Sequence, residues 1–185
     1  MWDLSFDHEE FLNFFLAMRL VQLLKTKDKF GLQRFCELHP LPINTALWVA
    51  NAEDWTVQDV MDITGKLGEL ARSEIRSTYL KQNAGMITAH LASRYGIRNG
   101  CSFTFDHMYF EGDLWSDSEL HDCTFRNCTF IDVDLSNAKW RRCSFEECSF
   151  DGLMFDNNTR LNDSRFGSGT SVLGALKKRG MKMPD

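Results

Sequence analysis

The sequence has no long hydrophobic run, fewer basic than acidic residues, and only six cysteines among 185 residues. Its most apolar stretch, residues 11–24, contains Asn13, Arg19 and Gln22 and is too short and too polar to span a bilayer. The first ten residues, MWDLSFDHEE, are acidic where a secretory signal carries basic residues. Six cysteines are too few for a disulfide-built miniprotein. These absences favour a soluble, cytoplasmic protein with reduced thiols.

The charge is unevenly distributed along the chain. Residues 101–170 hold 6 Lys or Arg and 13 Asp or Glu, a net charge of −7. Residues 1–100 are close to neutral, and residues 171–185 carry a net charge of +3. Direct binding to DNA or RNA needs a basic surface that neutralises phosphates. The acidic segment therefore argues against nucleic acid as a direct ligand.

The first hundred residues show helical patterns. Asp7 and Glu10 form a capping-box pattern, with Phe6 and Phe11 placed as a hydrophobic staple. Apolar residues then recur at helical spacing in two stripes, which is typical of a helix buried on several sides. One stripe is Phe11, Phe14, Phe15, Met18 and Val21, and the other is Leu12, Leu16, Leu20 and Leu23. We expect a core helix here, with a partner-binding helix as the alternative.

Further helices are predicted in the same region. They cover residues 28–38, a segment that starts after Thr56, and residues 86–95. Thr56 and Asp59 repeat the capping-box pattern. The prolines at 40 and 42 predict an extended linker. The run Asn83-Ala84-Gly85 predicts a break between two helices.

From residue 103 the sequence follows a period of five residues. Large apolar residues stand at every fifth position from 105 to 155, after which the register slips by one. They are Phe105, Phe110, Trp115, Leu120, Phe125, Phe130, Leu135, Trp140, Phe145, Phe150 and Phe155, followed by Leu161 and Phe166. A fixed internal repeat is typical of a stacked, solenoid-like architecture.

This segment resembles the pentapeptide-repeat family, whose motif is A-(D/N)-L-x-x. Cys replaces Ala and Phe replaces Leu in Cys123-Thr124-Phe125-Arg126-Asn127, and Val133-Asp134-Leu135-Ser136-Asn137 is close to the literal motif. The resemblance implies a right-handed quadrilateral β-helix with four pentapeptides per coil, so that residues twenty apart stack. The expected fold class is α+β in two parts. A helical domain spans 1–100, a β-helix spans 101–168, and a capping or dimerisation tail spans 169–185.

The cysteines at 123, 128, 143 and 148 then have a structural interpretation. Cys123 is predicted to stack beneath Cys143, and Cys128 beneath Cys148, where each thiol fills space beside a ring. A zinc site needs four thiolates that converge on one point, and disulfides need an oxidising compartment. We therefore expect a structural ladder, without metal or cofactor. Its rings are Phe105, Phe125 and Phe145 in one column and Phe110, Phe130 and Phe150 in the next.

The period also sorts the outward residues into two sides. The two faces built from 108–117, 128–137 and 148–157 contain acids and no Lys or Arg, whereas the other two faces mix both charges. The acids are Glu111, Asp113, Asp117, Asp132, Asp134, Asp151 and Asp156. Such a side is expected to be a solvated surface that keeps the β-helix soluble. The alternative is a binding face that steers a basic partner.

These features predict a non-enzymatic protein–protein interaction module. The resemblance suggests relatives that bind DNA gyrase and related topoisomerases by imitating duplex DNA, so the sharpest version is a bacterial or phage topoisomerase binder. The alternative is an effector, immunity or assembly factor whose helical domain binds the partner while the β-helix is a rigid scaffold. A hydrolase is a remote alternative, because His107 and His121 lie among Asp106, Asp122 and Glu119.

The C-terminal tail is the last predicted site. Residues 171–179 can form a short amphipathic helix, and the resemblance implies a terminal helix at this position. Val172, Leu173 and Leu176 are therefore predicted to cap the last coil or to form a homodimer interface.

Overall fold

The computed structural model describes residues 8–26, 28–52, 55–72, 77–99 and 103–167. Within these residues five helices come first and ten short strands follow, so the two-part α+β expectation is confirmed. The helices are α1 (His8–Thr26), α2 (Lys29–Leu38), α3 (Ile43–Ala52), α4 (Val57–Arg72) and α5 (Thr78–Asn99). The strands are β1 (Thr104–Asp106), β2 (Tyr109–Glu111), β3 (Glu119–His121), β4 (Thr124–Arg126), β5 (Thr129–Ile131), β6 (Lys139–Arg141), β7 (Ser144–Glu146), β8 (Ser149–Asp151), β9 (Arg160–Asn162) and β10 (Arg165–Phe166).

Two described helices begin with capping side chains, and the second of these is predicted from the sequence. The Asp28 side chain accepts a hydrogen bond from the Gly31 amide at 2.9 Å and caps α2. At α4 the Asp59 amide donates to the Thr56 hydroxyl, while the Asp59 carboxylate accepts from the Thr56 amide, which is a complete capping box. The cap predicted at Asp7 lies outside the described residues. Helix α3, which follows Pro42 directly, is not predicted from the sequence.

The predicted break at Asn83-Ala84-Gly85 is wrong, because α5 runs through all three residues. The buried Asn83 side chain donates to the carbonyl oxygens of Cys36 and His39, at 2.8 and 2.7 Å, and accepts from the Leu41 amide at 2.8 Å. It therefore satisfies backbone groups at the end of α2 and in the linker that follows. Gly85 allows α5 to approach the β-helix closely, since an added Cβ would clash with the Tyr109 carbonyl oxygen. Both residues serve tertiary contacts rather than a turn.

The strands stack into coils with four faces. Face 1 is the sheet β1-β4-β7-β10, face 2 is β2-β5-β8, and face 4 is β3-β6-β9, all parallel. Face 3, from residues 113–117, 133–137 and 153–157, contains a parallel bridge between Asp134 and Met154. Phe105 pairs with Phe125 and Phe125 with Phe145, twenty residues apart, as predicted. The predicted slip is also present, since Phe145 pairs with Phe166.

The coil interior is a column of aromatic rings. The rings of Phe105, Phe125, Phe145 and Phe166 are nearly parallel, with successive centroids 4.6, 5.0 and 4.7 Å apart. Phe130 and Phe150 stack in the same way at 4.6 Å. Full burial of such rings contributes much of the stability of this region.

The chain turns most corners of the described coils through one residue with positive φ, two positions after the central apolar residue; the corner after Phe155 is an exception. Asp and Asn, which tolerate this left-handed conformation, occupy most of these positions. The corner residues are His107, Gly112, Asp117, Asp122, Asn127, Asp132, Asn137, Arg142, Glu147, Gly152 and Asp163. The five-residue period is therefore set by backbone conformation as well as by apolar packing.

The helices, here called the helical layer, cover the first coil. Helix α4 packs on β1, and α5 packs on β2 and β3. The buried apolar residues of both regions form one contiguous core. No helix among the described residues combines the length and the apolarity needed to cross a membrane.

Candidate interaction surfaces

The cysteine ladder lies inside the coils. Cys123, Cys128, Cys143 and Cys148 are each about 1% exposed and are free thiols. The Cys128 Sγ lies 3.4 Å from the Phe105 carbonyl oxygen, and the Cys148 Sγ lies 3.4 Å from that of Phe125, one coil further on. Burial raises the pKa of Cys128 well above its ordinary value, which disfavours the thiolate that metals and nucleophilic chemistry require. Across the described parts of the chain no three His, Cys, Asp or Glu side chains are grouped to hold a metal ion.

The outward acids of faces 2 and 3, here called the acidic side, divide into two groups. Asp117, Asp134 and Asp156 are engaged in local hydrogen bonds. Asp117 accepts from the Asn137 side chain at 2.5 Å, and Asp134 accepts from the Ser136 amide at 2.8 Å. These carboxylates hold the corners and loops of face 3.

Asp156 has the most extensive set of local bonds. Its Oδ1 accepts from the amides of Asn137, Asn158 and Thr159, at 2.9, 3.0 and 2.8 Å. The bond from the Asn137 amide is the main cause that lowers the pKa of Asp156 to about 2. This carboxylate closes the loop where the register slips by one residue.

The acids of the second group are all exposed, as is Asp117 of the first group. Glu111, Ile131 and Asp151 form one outward column on face 2, and all three side chains are exposed. Asp113 and Asp132 are exposed beside this column. The Glu111 carboxylate also accepts a bond from Gln82 of α5 at 3.3 Å. The exposed negative charge thus surrounds an apolar residue, Ile131.

The other two faces, here called the mixed side, pair their charges between coils. Arg142 donates two hydrogen bonds of 2.6 Å to Asp122, and Arg126 donates one of 2.9 Å to Glu146. Each pair joins residues twenty apart. The bond from Arg142 lowers the pKa of Asp122. Neighbouring coils therefore neutralise one another on the mixed side, whereas the acidic side has no Lys or Arg in its pentapeptides.

The histidines singled out by the sequence lie apart. The His107 Nδ1 lies 2.6 Å from Asp106 Oδ1, and Arg72 of α4 donates to the other carboxylate oxygen of Asp106. Burial raises the pKa of Asp106, but the bonds from Arg72 and His107 outweigh burial, so its pKa is lowered overall. His121 lies on face 4 in register with Arg141. The Asp106 cluster therefore joins the helical layer to the first coil.

A groove, here called the junction groove, lies between the helical layer and the acidic side. It has a volume of about 280 Å³, and its apolar lining includes Leu41, Met86 and Tyr109. Glu111 and Asp113 lie at its acidic edge. The Lys81 ammonium lies 5.4 Å from the centre of the Tyr109 ring. The groove combines apolar and acidic groups.

Helix α1 is less buried than predicted. Leu20, Val21 and Leu23 are buried, but Phe15 is 58% exposed. Other large apolar side chains of α1 are exposed as well, namely Phe11, Leu12, Phe14 and Met18. The expectation of a helix buried on several sides is therefore wrong for this face, because the described contacts of α1 are mainly with α2 and α3, which leave these side chains exposed.

The tail residues Val172, Leu173 and Leu176 lie outside the described residues. Their predicted role in capping or dimerisation stays a prediction.

Comparison with known proteins identifies the second region. Residues 128–166 match the family model for pentapeptide repeats, in eight copies. Residues 128–166 of the four-faced coils are therefore pentapeptide repeats, and the β-helix that such repeats form is commonly a protein-interaction scaffold and generally non-enzymatic. No curated protein matches the chain. No solved structure matches it either.

Proposed function

We propose that this protein is a non-enzymatic interaction module whose acidic side binds a basic surface of a protein partner. The observation that carries the proposal is the contrast between the two sides of the β-helix. On the mixed side Arg126 and Arg142 are paired with acids of neighbouring coils, whereas on the acidic side Glu111, Asp132 and Asp151 are exposed. A surface of one sign steers an oppositely charged partner and raises its association rate.

The exposed column on face 2 is the proposed centre of the contact. Glu111 and Asp151 supply charge on each side of Ile131, which is 38% exposed. A partner that presents Lys or Arg around an apolar residue complements this arrangement. Asp117, Asp134 and Asp156 contribute to the field but already have local hydrogen-bond donors.

A topoisomerase binder that imitates DNA is the narrower version of this proposal. The four strands of face 1 span three spacings of ~4.8 Å, a total of ~14 Å. That length corresponds to only about four base pairs of duplex. A gyrase supercoiling assay tests this version. If wild-type protein leaves supercoiling unchanged, the DNA-mimic version is wrong and the broader proposal still stands.

Participation of the helical layer is the second candidate function. It is favoured by the junction groove, which joins apolar residues of the helices to Glu111 and Asp113 of the β-helix. In this arrangement the β-helix is a scaffold that holds one wall of the groove. Met86→Asp, a change on the helical wall, is expected to weaken partner binding only if the groove is occupied.

The main experiment separates the location of the charge from the net charge. Glu111→Lys with Asp151→Lys is compared with Glu119→Lys and Glu146→Lys, which makes the same change in net charge on the mixed side. With a partner captured from lysate and then purified, we expect the acidic-side variant to slow association about tenfold at low salt. The mixed-side variant should leave the rate close to wild type. Equal slowing by both variants would show that only net charge matters.

A further inference from the structure

The exposed face of α1 carries a linked set of aromatic side chains. The Phe11 and Phe15 ring centroids are 5.3 Å apart, those of Phe14 and Phe15 are 5.7 Å apart, and those of Phe14 and Trp48 of α3 are 5.7 Å apart. Met18 lies on the same face, three and four residues beyond Phe15 and Phe14. These five residues are here called the aromatic patch. Each is between 39% and 58% exposed.

The aromatic patch is comparable in size to the largest apolar patch on a typical monomer. Side chains of this size have roughly 150–250 Å² each, so five that are about half exposed present on the order of 450 Å² of apolar surface. That is within the ~300–600 Å² range of the largest patch on a typical monomer, which is often functional. Two such patches in contact bury on the order of 900 Å² before any polar rim is counted. A specific protein interface begins at about 1,000–1,200 Å² in total.

We propose that the aromatic patch is a self-association surface, in which two copies of this chain pack α1 against α1 about a twofold axis. A twofold contact uses the same patch on both copies, so a single apolar patch is sufficient. An antiparallel contact centred between Phe14 and Phe15 places Phe11 of each copy beside Met18 of the other, so the patch is complementary to itself.

This interface is distinct from the acidic side. The aromatic patch lies on the helical layer, while Glu111 and Asp151 lie on face 2 of the β-helix. A dimer built on α1 therefore presents two acidic sides in one particle. Two binding sites in one particle raise the avidity for a partner that also has repeated sites. The proposal does not depend on what the acidic side binds.

Sedimentation velocity of the full chain between about 1 and 100 μM tests the proposal. We expect wild-type protein to form a dimer in this range, and Phe15→Asp to be a monomer throughout. The matched control is Phe30→Asp on α2, where the side chain is 82% exposed and lies outside the aromatic patch. This control should remain a dimer. Phe15→Leu, which keeps an apolar side chain, should also dimerise, and far-ultraviolet circular dichroism confirms the fold of each variant.

Three results would overturn the proposal. Wild-type protein that is monomeric at about 100 μM would show that the patch does not self-associate. A dimer that persists in Phe15→Asp would place the interface elsewhere, for example in the tail around Leu173. If wild-type protein is monomeric and Phe15→Asp no longer binds a captured partner, the patch binds that partner and not a second copy of this chain. Reversal of Glu111 and Asp151 should leave the mass unchanged, so failure of this proposal is distinguishable from failure of the acidic-side proposal.

Discussion

Phenylalanine has opposite environments in the two regions of this protein. In the β-helix, Phe125 and Phe145 are no more than 1% exposed and stack in parallel. In the helical layer, Phe15 is 58% exposed and Phe30 is 82% exposed. The residue type is the same, and the hydrophobic driving force per unit of area is the same. The two regions differ in which parts of the chain contact the ring.

In the β-helix the contacts of each ring come from equivalent positions in the neighbouring coils. A ring at one position meets the rings twenty residues before and after it, because each coil returns the chain to the same face. In the helical layer the neighbours come from distant segments whose placement depends on the whole fold. Asn83, for example, bonds to a carbonyl oxygen 47 residues earlier in the chain. The local sequence pattern therefore determines which side chains are buried in the β-helix. In the helical layer it determines only where the helices form.

The largest test of this contrast replaces one ring in each region. Phe125→Ala should lower the free energy of unfolding by about 3–5 kcal/mol, because a cavity opens between two stacked rings. Phe30→Ala should change it by no more than about 0.5 kcal/mol, because the side chain is exposed. Chemical denaturation of both variants measures the difference. Similar losses would contradict the division between the two regions.

The contact between the regions is tested by two glycines in helices. Gly85→Ala should destabilise the protein by about 1–3 kcal/mol, because the added Cβ would meet the Tyr109 carbonyl and force α5 away from the first coil. Gly65→Ala is the matched control, since an added Cβ there has open space around it. That change should raise stability by about 0.5–1 kcal/mol through helix propensity. Thermal and urea unfolding measure both changes.

The ion pair between the regions predicts a dependence on pH. The pKa of Asp106 is below its ordinary value of 3.8 in the folded protein, so the pair with Arg72 stabilises the fold fully above that value. The contribution is lost as the pH falls through the lower folded value, because the unfolded chain binds the proton first. Arg72→Gln should cost about 1–2 kcal/mol near neutral pH and progressively less below about pH 4.

Urea unfolding between about pH 7 and pH 2.5 checks the Asp106 prediction. Lys29→Gln is the matched control, because Lys29 and Glu69 form an exposed pair that should contribute no more than about 1 kcal/mol. A gap between wild type and Arg72→Gln that stays constant down to the acid end would contradict the assignment to Asp106.

The smallest expected effect concerns the corners of the coils. Glu147 has φ of 53°, a conformation that Asn adopts more readily than Glu. Glu147→Asn should therefore raise the free energy of unfolding by about 0.5 kcal/mol. The reciprocal change Asn127→Glu, at the equivalent corner one coil earlier, should lower it by a similar amount. Equal effects of both changes in one direction would show that side-chain contacts outweigh backbone conformation at these corners.

Much of the β-helix follows from the sequence. The period predicts the stacking of Phe125 on Phe145, the inward cysteines and the slip before Leu161, because each depends on spacing alone. It also places the acids on adjacent faces. It does not distinguish exposed Asp151 from Asp156, whose bonds depend on the geometry of a loop.

The helical layer is less predictable for a physical reason. Asn83 and Gly85 have the composition of a helix break, yet they are buried inside α5 by contacts with the linker and the first coil. The aromatic side chains of α1 have the spacing of a core stripe, and several of them are exposed. In both cases the burial of the residue depends on whether distant segments contact it, and the local sequence pattern does not specify those contacts.

The helices pack on one end of the β-helix, and this has a consequence for how such a protein can change in length. Among the described residues, α4 and α5 pack on strands of the first coil, and each later coil pairs with its immediate neighbours. Duplication of a twenty-residue stretch such as 123–142 would therefore insert a complete coil without disturbing α4 or α5. Each insertion adds ~4.8 Å of height and, with this stretch, two further acids at the positions of Asp132 and Asp134. A tandem duplication in the gene would therefore lengthen the acidic side by one coil at a time. Variants with different numbers of coils would present acidic sides of different length, each suited to a partner of matching size.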